Sequence, residues 1–528
     1  MPTSATIATD EGHAARERPG GWLKRARMLA GRPEMLALAI LAIGTLVRLQ
    51  GSVDPDVSWQ LWIADRIHHG ARLYRDIVEV NPPLWFWMAL PVDSLAKLLG
   101  VRADALMILV MAAAAALSII ATARLLTGIP ERRRSLLLAY AAVTLFAMPW
   151  MHVGQREQIA LIGAVPYAAL VAARRSGRPV SPLLAVLIGA GAALGFALKH
   201  YFLIVPALLE LWLYAGRGKS WRPFRPETFA IAAVGAAYAC AVLFWARDFF
   251  TITLPLIRLA YGATGAPHFT DLFGPPIIVA FLLLGFIALH RRLDIAEKAP
   301  FAAALLVAGL GFGAAYFIQS KGWLYHAMPL VGCLALALAS LLAEIAEPPR
   351  SLRLIGPALL ALPLTTAAQE SRAETLPSPE LLQSVEGLPP GTTVGFIATE
   401  PALAWSVTLQ HRLHYPSRYY GFWMIRAILR NQHRPHPDPR IEQLRKDVAA
   451  QTVLDFECTP PRRIVVARPS SNGPTSGDFD ILPFFLEDPR FAAMLAHYRS
   501  VRRGEKLEIY DLQVPFAAPP RSSCRRGA

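Results

Sequence analysis

The residues that could do chemistry are concentrated in the stretch 51–103, which follows the first apolar segment of the chain. Carboxylates and a guanidinium lie close together there, at Asp54, Asp56, Asp76 and Arg75. A carboxylate within hydrogen-bond reach of a hydroxyl can take its proton, and a guanidinium can fork onto two oxygens of an anion. The stretch therefore has the residue types for a general base and for anion binding.

Further ionisable and polar residues stand in three short connections between later apolar segments. They are Arg156 and Glu157 in "MHVGQRE", Lys199 in "LKHY", and Lys321, Tyr325 and His326 in "QSKGWLYH". Charged groups at the margin of a membrane are costly and tend to mark substrate sites. Carboxylates paired with Arg, Lys and His suit an anionic substrate, and the membrane setting favours a lipid phosphate whose tail lies between helices.

These polar stretches lie between apolar segments of membrane-spanning length. The 528 residues are 54% hydrophobic and 17% charged, with a mean hydropathy of +0.36, whereas soluble domains carry about 25% charged residues. A span needs about 20 apolar residues. We predict eleven spans, near 34–50, 104–128, 135–150, 157–173, 181–198, 200–216, 227–246, 274–290, 300–317, 325–345 and 352–368.

The positive charge indicates how these spans are oriented. Arg-rich connections recur at every second turn, at 131–134, 173–178, 216–225, 290–298 and 347–353. The positive-inside rule then places the basic tail 1–33 in the cytoplasm and the C-terminus outside the inner (plasma) membrane, provided that Pro82–Leu99 is an interfacial helix that does not cross. The net charge of +15 is thus assigned to topology and to membrane lipids, and no nucleic-acid partner is predicted.

The region 369–528 has a different character and predicts a small extracytoplasmic α/β domain after the transmembrane domain 34–368. "GTTVGFIAT", "RRIVVARP" and "KLEIYDL" are typical of short strands, and 483–500 of an amphipathic helix. The range 373–391, which is rich in Pro and Ser in part, is predicted to be a linker. Cys458 and Cys524 can form a disulfide if this domain is extracytoplasmic, and no cysteine spacing indicates zinc. We predict neither a metal nor a cofactor.

The two loop aspartates at the start of this stretch each have a functional and a structural interpretation. Asp56 is either the general base or the N-cap of a helix that begins at Val57. Asp54 precedes a proline and is interpreted as a turn residue. The alternative is that Asp54 is the general base.

The remaining candidates also carry two interpretations each. Asp76 and Arg75 are either substrate ligands or ordinary loop residues. In the functional interpretation Arg156 clamps the phosphate and Glu157 orients the acceptor, and in the structural one the two residues form a salt bridge that anchors the end of the span. Lys199 is a functional cation or a snorkelling lysine. The turn that carries Lys321, Tyr325 and His326 belongs either to the substrate site or to an interfacial aromatic belt. The aromatic belt does not account well for His326.

The first loop resembles a known family. The matching residues are Asp56, Ala64, Gly70, Tyr74, Arg75, Asp76 and Pro82-Pro83-Leu84. This pattern resembles the first extracytoplasmic loop of GT-C glycosyltransferases such as the protein O-mannosyltransferases and the lipid A aminoarabinose transferases. An aspartate and a glycine stand fourteen positions apart in that loop, as they do here. The resemblance covers the first span, the loop and the following helix, and more loosely the hydropathy plan.

The resemblance implies a polytopic α-helical membrane enzyme of GT-C type. It implies a polyprenyl-phosphate-linked sugar donor, inversion at the anomeric carbon, a loop aspartate as base, and a lipid, glycan or protein acceptor. Two departures matter. Val57 stands where the family has a second acid, which counts against metal binding, and Asn81 replaces a basic residue before Pro-Pro, so other cations must bind the phosphate.

Other protein classes also fit part of the pattern. A transporter or flippase of lipid-linked glycans, or a non-catalytic polysaccharide assembly subunit, explains many spans and intramembrane charge. These alternatives account poorly for the long ionisable first loop and the C-terminal domain, and the inverted repeats common in transporters are not evident.

Overall fold

The computed structural model describes residues 32–51, 53–264, 269–374, 377–469 and 479–516, with Pro519 and Cys524. The predicted cytoplasmic tail 1–33 lies almost wholly outside the described residues. Two residues of the predicted linker, 375–376, lie outside them as well.

Up to residue 374 the described chain is helical. The helices are α1 Met35–Arg48, α2 Pro55–His68, α3 Leu84–Leu99, α4 Ala103–Leu125, α5 Glu131–Ala142 (extended by a π-helical turn, Val143–Ala147), α6 Arg156–Arg175, α7 Pro182–Ala197, α8 Ile204–Arg217, α9 Pro226–Trp245, α10 Leu254–Thr264, α11 Pro275–Leu289, the single turn α12 Ile295–Lys298, α13 Pro300–Gln319, α14 Leu324–Glu344 and α15 Arg350–Glu374. Several of them begin with proline, whose fixed φ suits the first helical position.

Each of the eleven predicted spans coincides with one of these helices. Among the described residues, five helices are long and apolar enough to cross a membrane, and four more apolar helices are shorter. The number of spans therefore stays a prediction. The predicted interfacial segment is helical over Leu84–Leu99, with Pro91 inside the helix.

Small residues let α6 and α7 approach closely. A Cβ on Gly195 would lie 2.9 Å from the Cα of Ala160, and one on Gly163 would lie 3.0 Å from the Cα of Ala192. Such small-residue contacts are typical of helices packed inside membranes. This packing brings the start of α6 beside the end of α7, so that Glu157 and Lys199 become neighbours.

The described part of the C-terminal region contains four strands, β1 Val394–Ile397, β2 Arg463–Ala467, β3 Tyr498–Arg503 and β4 Leu507–Leu512, in the order β1-β2-β4-β3. Strands β1 and β2 pair in parallel, whereas β4 pairs antiparallel with both β2 and β3. The helices are α16 Pro379–Val385, α17 Ala402–Trp405, α18 Ile425–Gln432, α19 Pro439–Cys458, α20 Ile481–Leu486 and α21 Pro489–Leu495.

Two predictions for this region are corrected. The single helix expected over 483–500 is two short helices followed by β3, because Asp488 caps a new helix that begins at Pro489. The expected linker 373–391 contains the helix Pro379–Val385, which Ser378 caps.

The C-terminal region packs directly on the first loop. Trp59 stacks on Tyr420 with ring centroids 4.4 Å apart, and Trp62 packs against Trp405 at 5.0 Å. The backbone N–H of Val78 donates to the carbonyl of Arg418. The first loop and the C-terminal region thus share one apolar core.

Two links hold the C-terminal region together. Arg418 and Asp455 form a buried ion pair at 2.7 Å, and the Asp455 carboxylate also accepts the Arg418 backbone N–H. Cys458 and Cys524 form a disulfide, which fits the oxidising compartment predicted for this region.

Asp455→Ala should destabilise the protein by about 3–5 kcal/mol, because it leaves the buried Arg418 charge without its partner. The measurement is thermal unfolding in detergent. Glu442→Gln is the matched control, since Glu442 pairs with Arg445 on the exposed side of the same helix and surface pairs contribute about 0–1 kcal/mol. Equal shifts for both variants would contradict the structural role of the Arg418–Asp455 pair.

Candidate active site

The α2 helix begins at Pro55, and this sets the roles of the two aspartates beside it. Asp54 is the N-cap, and its carboxylate accepts the backbone N–H of Asp56 at 2.7 Å. The alternative in which Asp56 caps a helix that starts at Val57 is therefore wrong, as is the turn interpretation of Asp54. Proline takes the first helical position, so the cap must precede it.

The Asp56 carboxylate points toward two helices of the bundle. Its Oδ2 accepts hydrogen bonds from Gln155 Nε2 at 2.9 Å and from the Tyr325 hydroxyl at 3.2 Å. Burial, and then the neighbouring Asp54 charge, raises the pKa of Asp56 to about 7, although the Gln155 hydrogen bond opposes the rise. A carboxyl group that titrates near neutral pH is suited to accept a proton from a hydroxyl.

Asp54 has a second partner besides the helix start. His152 Nδ1 lies 2.5 Å from Asp54 Oδ2, and the His152 ring packs against Tyr325 at 5.1 Å. Asp54 is thus fixed on both oxygens, which leaves Asp56 as the better placed of the two carboxylates for proton transfer.

A second group of buried polar residues surrounds Lys199, next to the end of α7. Its ammonium lies 2.5 Å from Glu157 Oε1, 2.9 Å from Gln319 Oε1 and 3.0 Å from His326 Nε2. These partners come from α6, α13 and α14, so four helices meet at one ammonium group. Burial lowers the pKa of Lys199 to about 8, against the opposing charge of Glu157. The lysine therefore stays protonated at neutral pH.

Arg156 lies between these two groups. Its guanidinium donates to Asn81 Oδ1 and stacks on Trp85 at 4.7 Å from the ring centroid. Glu79 is fully buried close by and accepts from the backbone N–H groups of Val80 and Asn81. Burial raises the pKa of Glu79 to about 7, and the Arg156 charge opposes this rise.

Several buried polar atoms of this cluster have no hydrogen-bond partner among the described residues. They are Glu79 Oε2, Gln155 Oε1, Arg156 Nε, Glu157 Oε2 and His326 Nδ1. Buried polar groups in folded proteins are nearly always hydrogen-bonded. Their concentration here marks the cluster as a place that binds polar groups. Over the described ranges, no three His, Cys, Asp or Glu side chains are grouped so as to hold a metal ion.

Two of the residues predicted for the substrate site pair with charged groups outside this cluster. Arg75 is exposed and pairs with Asp248 at 2.5 Å, and Asp76 is buried beside Arg72, which donates to it from its backbone and its side chain. Lys321 is exposed in the turn between α13 and α14, and its charge acts on His326 at the edge of the cluster. The cluster itself joins Asp56, Glu157, Arg156, Lys199, Tyr325 and His326 from the predicted set.

Several residues of the cluster were missed from the sequence, namely Glu79, Asn81, His152, Gln155 and Gln319. Three signals could have found some of them. Gln155 stands beside Arg156 in the polar "GQRE" turn, and Gln319 ends an apolar helix. Asn81 directly precedes the Pro-Pro pair of the first loop, and Glu79 stands two residues before Asn81.

A scan against protein-family models finds no match for this chain, and no curated protein sequence matches it. Several solved structures are similar to this chain at low sequence identity. One is ArnT from Cupriavidus metallidurans bound to undecaprenyl phosphate, with a TM-score of 0.49 and 12% identity over 95% of this chain and 100% of that chain.

Two further structures are similar. The archaeal oligosaccharyltransferase AglB from Archaeoglobus fulgidus, in complex with an inhibitory peptide and a dolichol-phosphate, has a TM-score of 0.42 and 12% identity, over 91% of this chain and 73% of that chain. The arabinofuranosyltransferase AftD from Mycobacteria has a TM-score of 0.41 and 16% identity, over 90% of this chain and 40% of that chain.

The TM-scores of these three structures lie below 0.5, and the functional conclusion rests on the geometry of the cluster.

Glu157→Gln should destabilise the protein, because the buried Lys199 ammonium then lacks its counter-ion, and such a loss costs about 3–5 kcal/mol. The double variant Glu157→Gln/Lys199→Met should recover part of that loss, since the uncompensated charge is gone. Unfolding of wild type, both single variants and the double variant measures the coupling. Additive single-variant effects would show that the two groups do not depend on each other.

Proposed function

We propose that this chain is a membrane glycosyltransferase that moves a sugar from a polyprenyl-phosphate donor to a hydroxyl of a lipid, glycan or protein acceptor. One observation carries the proposal. Asp56, which titrates near neutral pH, lies in the same buried cluster as the two cations Arg156 and Lys199. A base and two cations side by side suit a reaction in which a hydroxyl loses a proton while a phosphate leaves.

The two cations would bind the phosphate of the donor. The unpaired Nε of Arg156 can donate to a phosphate oxygen, while its Nη1 remains on Asn81. The Lys199 ammonium adds a second positive charge in a poorly solvated place, where it stabilises an anion more strongly than in water. Both groups therefore act on the negative charge that develops on the leaving phosphate.

Asp56 would act as the general base. The acceptor oxygen attacks the anomeric carbon as the bond from that carbon to the phosphate oxygen breaks, and the electron pair leaves with the phosphate. The hydroxyl proton passes to the Asp56 carboxylate, which Gln155 and Tyr325 hold in place. Attack opposite the leaving group inverts the anomeric configuration. The unpartnered Glu157 Oε2 is placed to orient the acceptor by accepting a hydroxyl hydrogen bond.

The reaction would take place on the extracytoplasmic side of the inner membrane. The alternation of Arg-rich connections supports this orientation, because the cluster is built from the intervening connections and the first loop. The Cys458–Cys524 disulfide supports an outward place for the domain 369–528, which packs on that loop. The transmembrane domain 34–368 would hold the polyprenyl chain.

Asp56→Asn should lower the rate of sugar transfer by about 10²–10⁴-fold, because an amide cannot accept the proton. The fold and the donor affinity should survive, since Asn has the same shape and Asp56 is not the N-cap. Transfer from a radiolabelled polyprenyl-phosphate sugar by the purified variant measures the effect. The Asp54→Asn variant serves as the control and should retain most activity, because Asn is also a good N-cap.

If Asp56→Asn is folded, binds the donor and transfers at the wild-type rate, Asp56 is not the base. If wild-type protein moves the donor across a membrane without consuming it, the chain is a transporter rather than an enzyme.

The pH profile of kcat/KM should be bell-shaped. Activity should rise through about pH 7 as Asp56 loses its proton and fall above about pH 8 as Lys199 loses its charge. Asp54→Asn should move the acid limb to lower pH, because the Asp54 charge contributes to the raised pKa of Asp56. Lys199→Arg should remove the alkaline limb, since a guanidinium stays charged. An acid limb that Asp54→Asn leaves in place would show that another group is titrating.

A further inference from the structure

A second polar cleft lies between the first loop and the C-terminal region, at the far end of α2 from Asp56. Its volume is about 340 Å³, and the Cys458–Cys524 disulfide forms part of its wall. Arg66 and His69 of the first loop line one side, and His414 and Arg418 of the C-terminal region line the other side. Cationic side chains from two separate parts of the chain thus face the same space.

The carboxylates of this cleft already have cationic partners. Asp455 is held by Arg418, which donates from its backbone N–H and its guanidinium. Asp65 lies 2.6 Å from the Lys97 ammonium, on the neighbouring helix α3. Neither carboxylate makes a direct ion pair with the remaining arginine, Arg66.

Arg66 is a charged group of the cleft whose guanidinium donors are not engaged by any described residue. It is half-buried, and its guanidinium forms neither a hydrogen bond nor an ion pair with any described residue. Its contact is with the ring of Trp62, 5.3 Å from the centroid, which fixes the plane of the guanidinium. Burial lowers the pKa of Arg66, so holding this charge in the cleft has a cost that a bound anion would offset.

We propose that this cleft binds a saccharide that carries a phosphate or carboxylate group, with the oxyanion on Arg66. The guanidinium can fork onto two oxygens, and His69 and His414 can donate further hydrogen bonds. Asp65, whose Oδ1 lies on Lys97, can accept from a sugar hydroxyl with its Oδ2. The cleft has the size of pockets that take small ligands, about 300–1,000 Å³.

The position of the cleft assigns this saccharide to the acceptor, an assignment that rests on the proposed function. Asp56 and Arg66 are ten positions apart on one helix, which corresponds to a rise of about 15 Å. The cleft is therefore separate from the place where the sugar is transferred. It would recognise an anionic unit of the acceptor at a distance from the reacting hydroxyl.

The test is calorimetric titration of glucose 1-phosphate and of glucuronate into the full chain in a neutral detergent. Wild type should bind at least one of these probes, and Arg66→Gln should weaken binding about tenfold or more, because a charge-assisted hydrogen bond is lost. The affinity of Arg66→Lys should lie between those of wild type and Arg66→Gln, since lysine keeps the charge but lacks the planar guanidinium that binds two oxygens. Arg499→Gln is the matched control, which removes an exposed arginine from the edge strand β3 and should bind as wild type does.

Three results would overturn the proposal. Wild type could bind neither probe, Arg66→Gln could bind as wild type does at an unchanged melting temperature, or Arg499→Gln could lose as much affinity as Arg66→Gln. The same titration in nanodiscs identifies the source of the anion. Competition by phosphatidylglycerol but not phosphatidylcholine, dependent on Arg66, would assign the cleft to a lipid headgroup and not to a saccharide.

This experiment separates the cleft from the proposed transfer reaction. Probe binding that survives in Asp56→Asn supports the cleft even in protein that transfers no sugar, whereas probe binding lost in Asp56→Asn would show that the two places are one site. Conversely, transfer activity in wild type without probe binding would sustain the proposed function and remove the acceptor cleft.

Discussion

The ion pair between Lys199 and Glu157 is the constraint on which the arrangement of the helix bundle depends. A buried ammonium and a buried carboxylate are both costly unless they meet, and here they lie 2.5 Å apart with Gln319 and His326 completing the contacts. Their meeting fixes the ends of four helices relative to one another. The close packing of α6 on α7 through Gly195 and Ala160 makes this geometry reachable.

The first loop adds the reactive carboxylate to this fixed group. Asp54 caps the helix and hydrogen-bonds to His152. Asp56, two positions further on, accepts hydrogen bonds from Gln155 and Tyr325. Two neighbouring aspartates thus have different roles because proline separates them at a helix start. The Asp54 charge also helps to raise the pKa of Asp56 into the range where proton transfer at neutral pH is efficient.

The C-terminal region packs on the helix of the first loop. Its aromatic residues pack on Trp59 and Trp62, on the same helix that carries Asp56 at its start and Arg66 near its end. A single helix therefore connects the proposed catalytic carboxylate with the proposed anion cleft. Recognition of the acceptor at one end and reaction at the other would then share one rigid element, which holds their separation constant.

The helical segments, the loops that carry ionisable residues and most of the strands could be predicted from the sequence. Apolar runs of this length have few other stable conformations in a membrane, since every backbone polar group must be paired within the helix. The sequence also indicated Asp56, Arg156, Glu157, Lys199, Tyr325 and His326 as candidates, because charge beside such segments is costly without a use.

Which of the candidate residues come into contact depends on how the helices and the C-terminal region pack. Arg75 and Asp76 matched the loop pattern as well as Asp56 did, yet Asp248 and Arg72 engage them elsewhere. Gln155 and Gln319 gain their place in the site from partners distant in the chain, Asp56 and Lys199. Arg66 likewise becomes a candidate only in the folded chain, where the C-terminal region lies across the first loop and no described residue engages its guanidinium. Hydrogen bonds and ion pairs depend on the distances between side chains. Helix packing sets these distances, and the local sequence does not encode them.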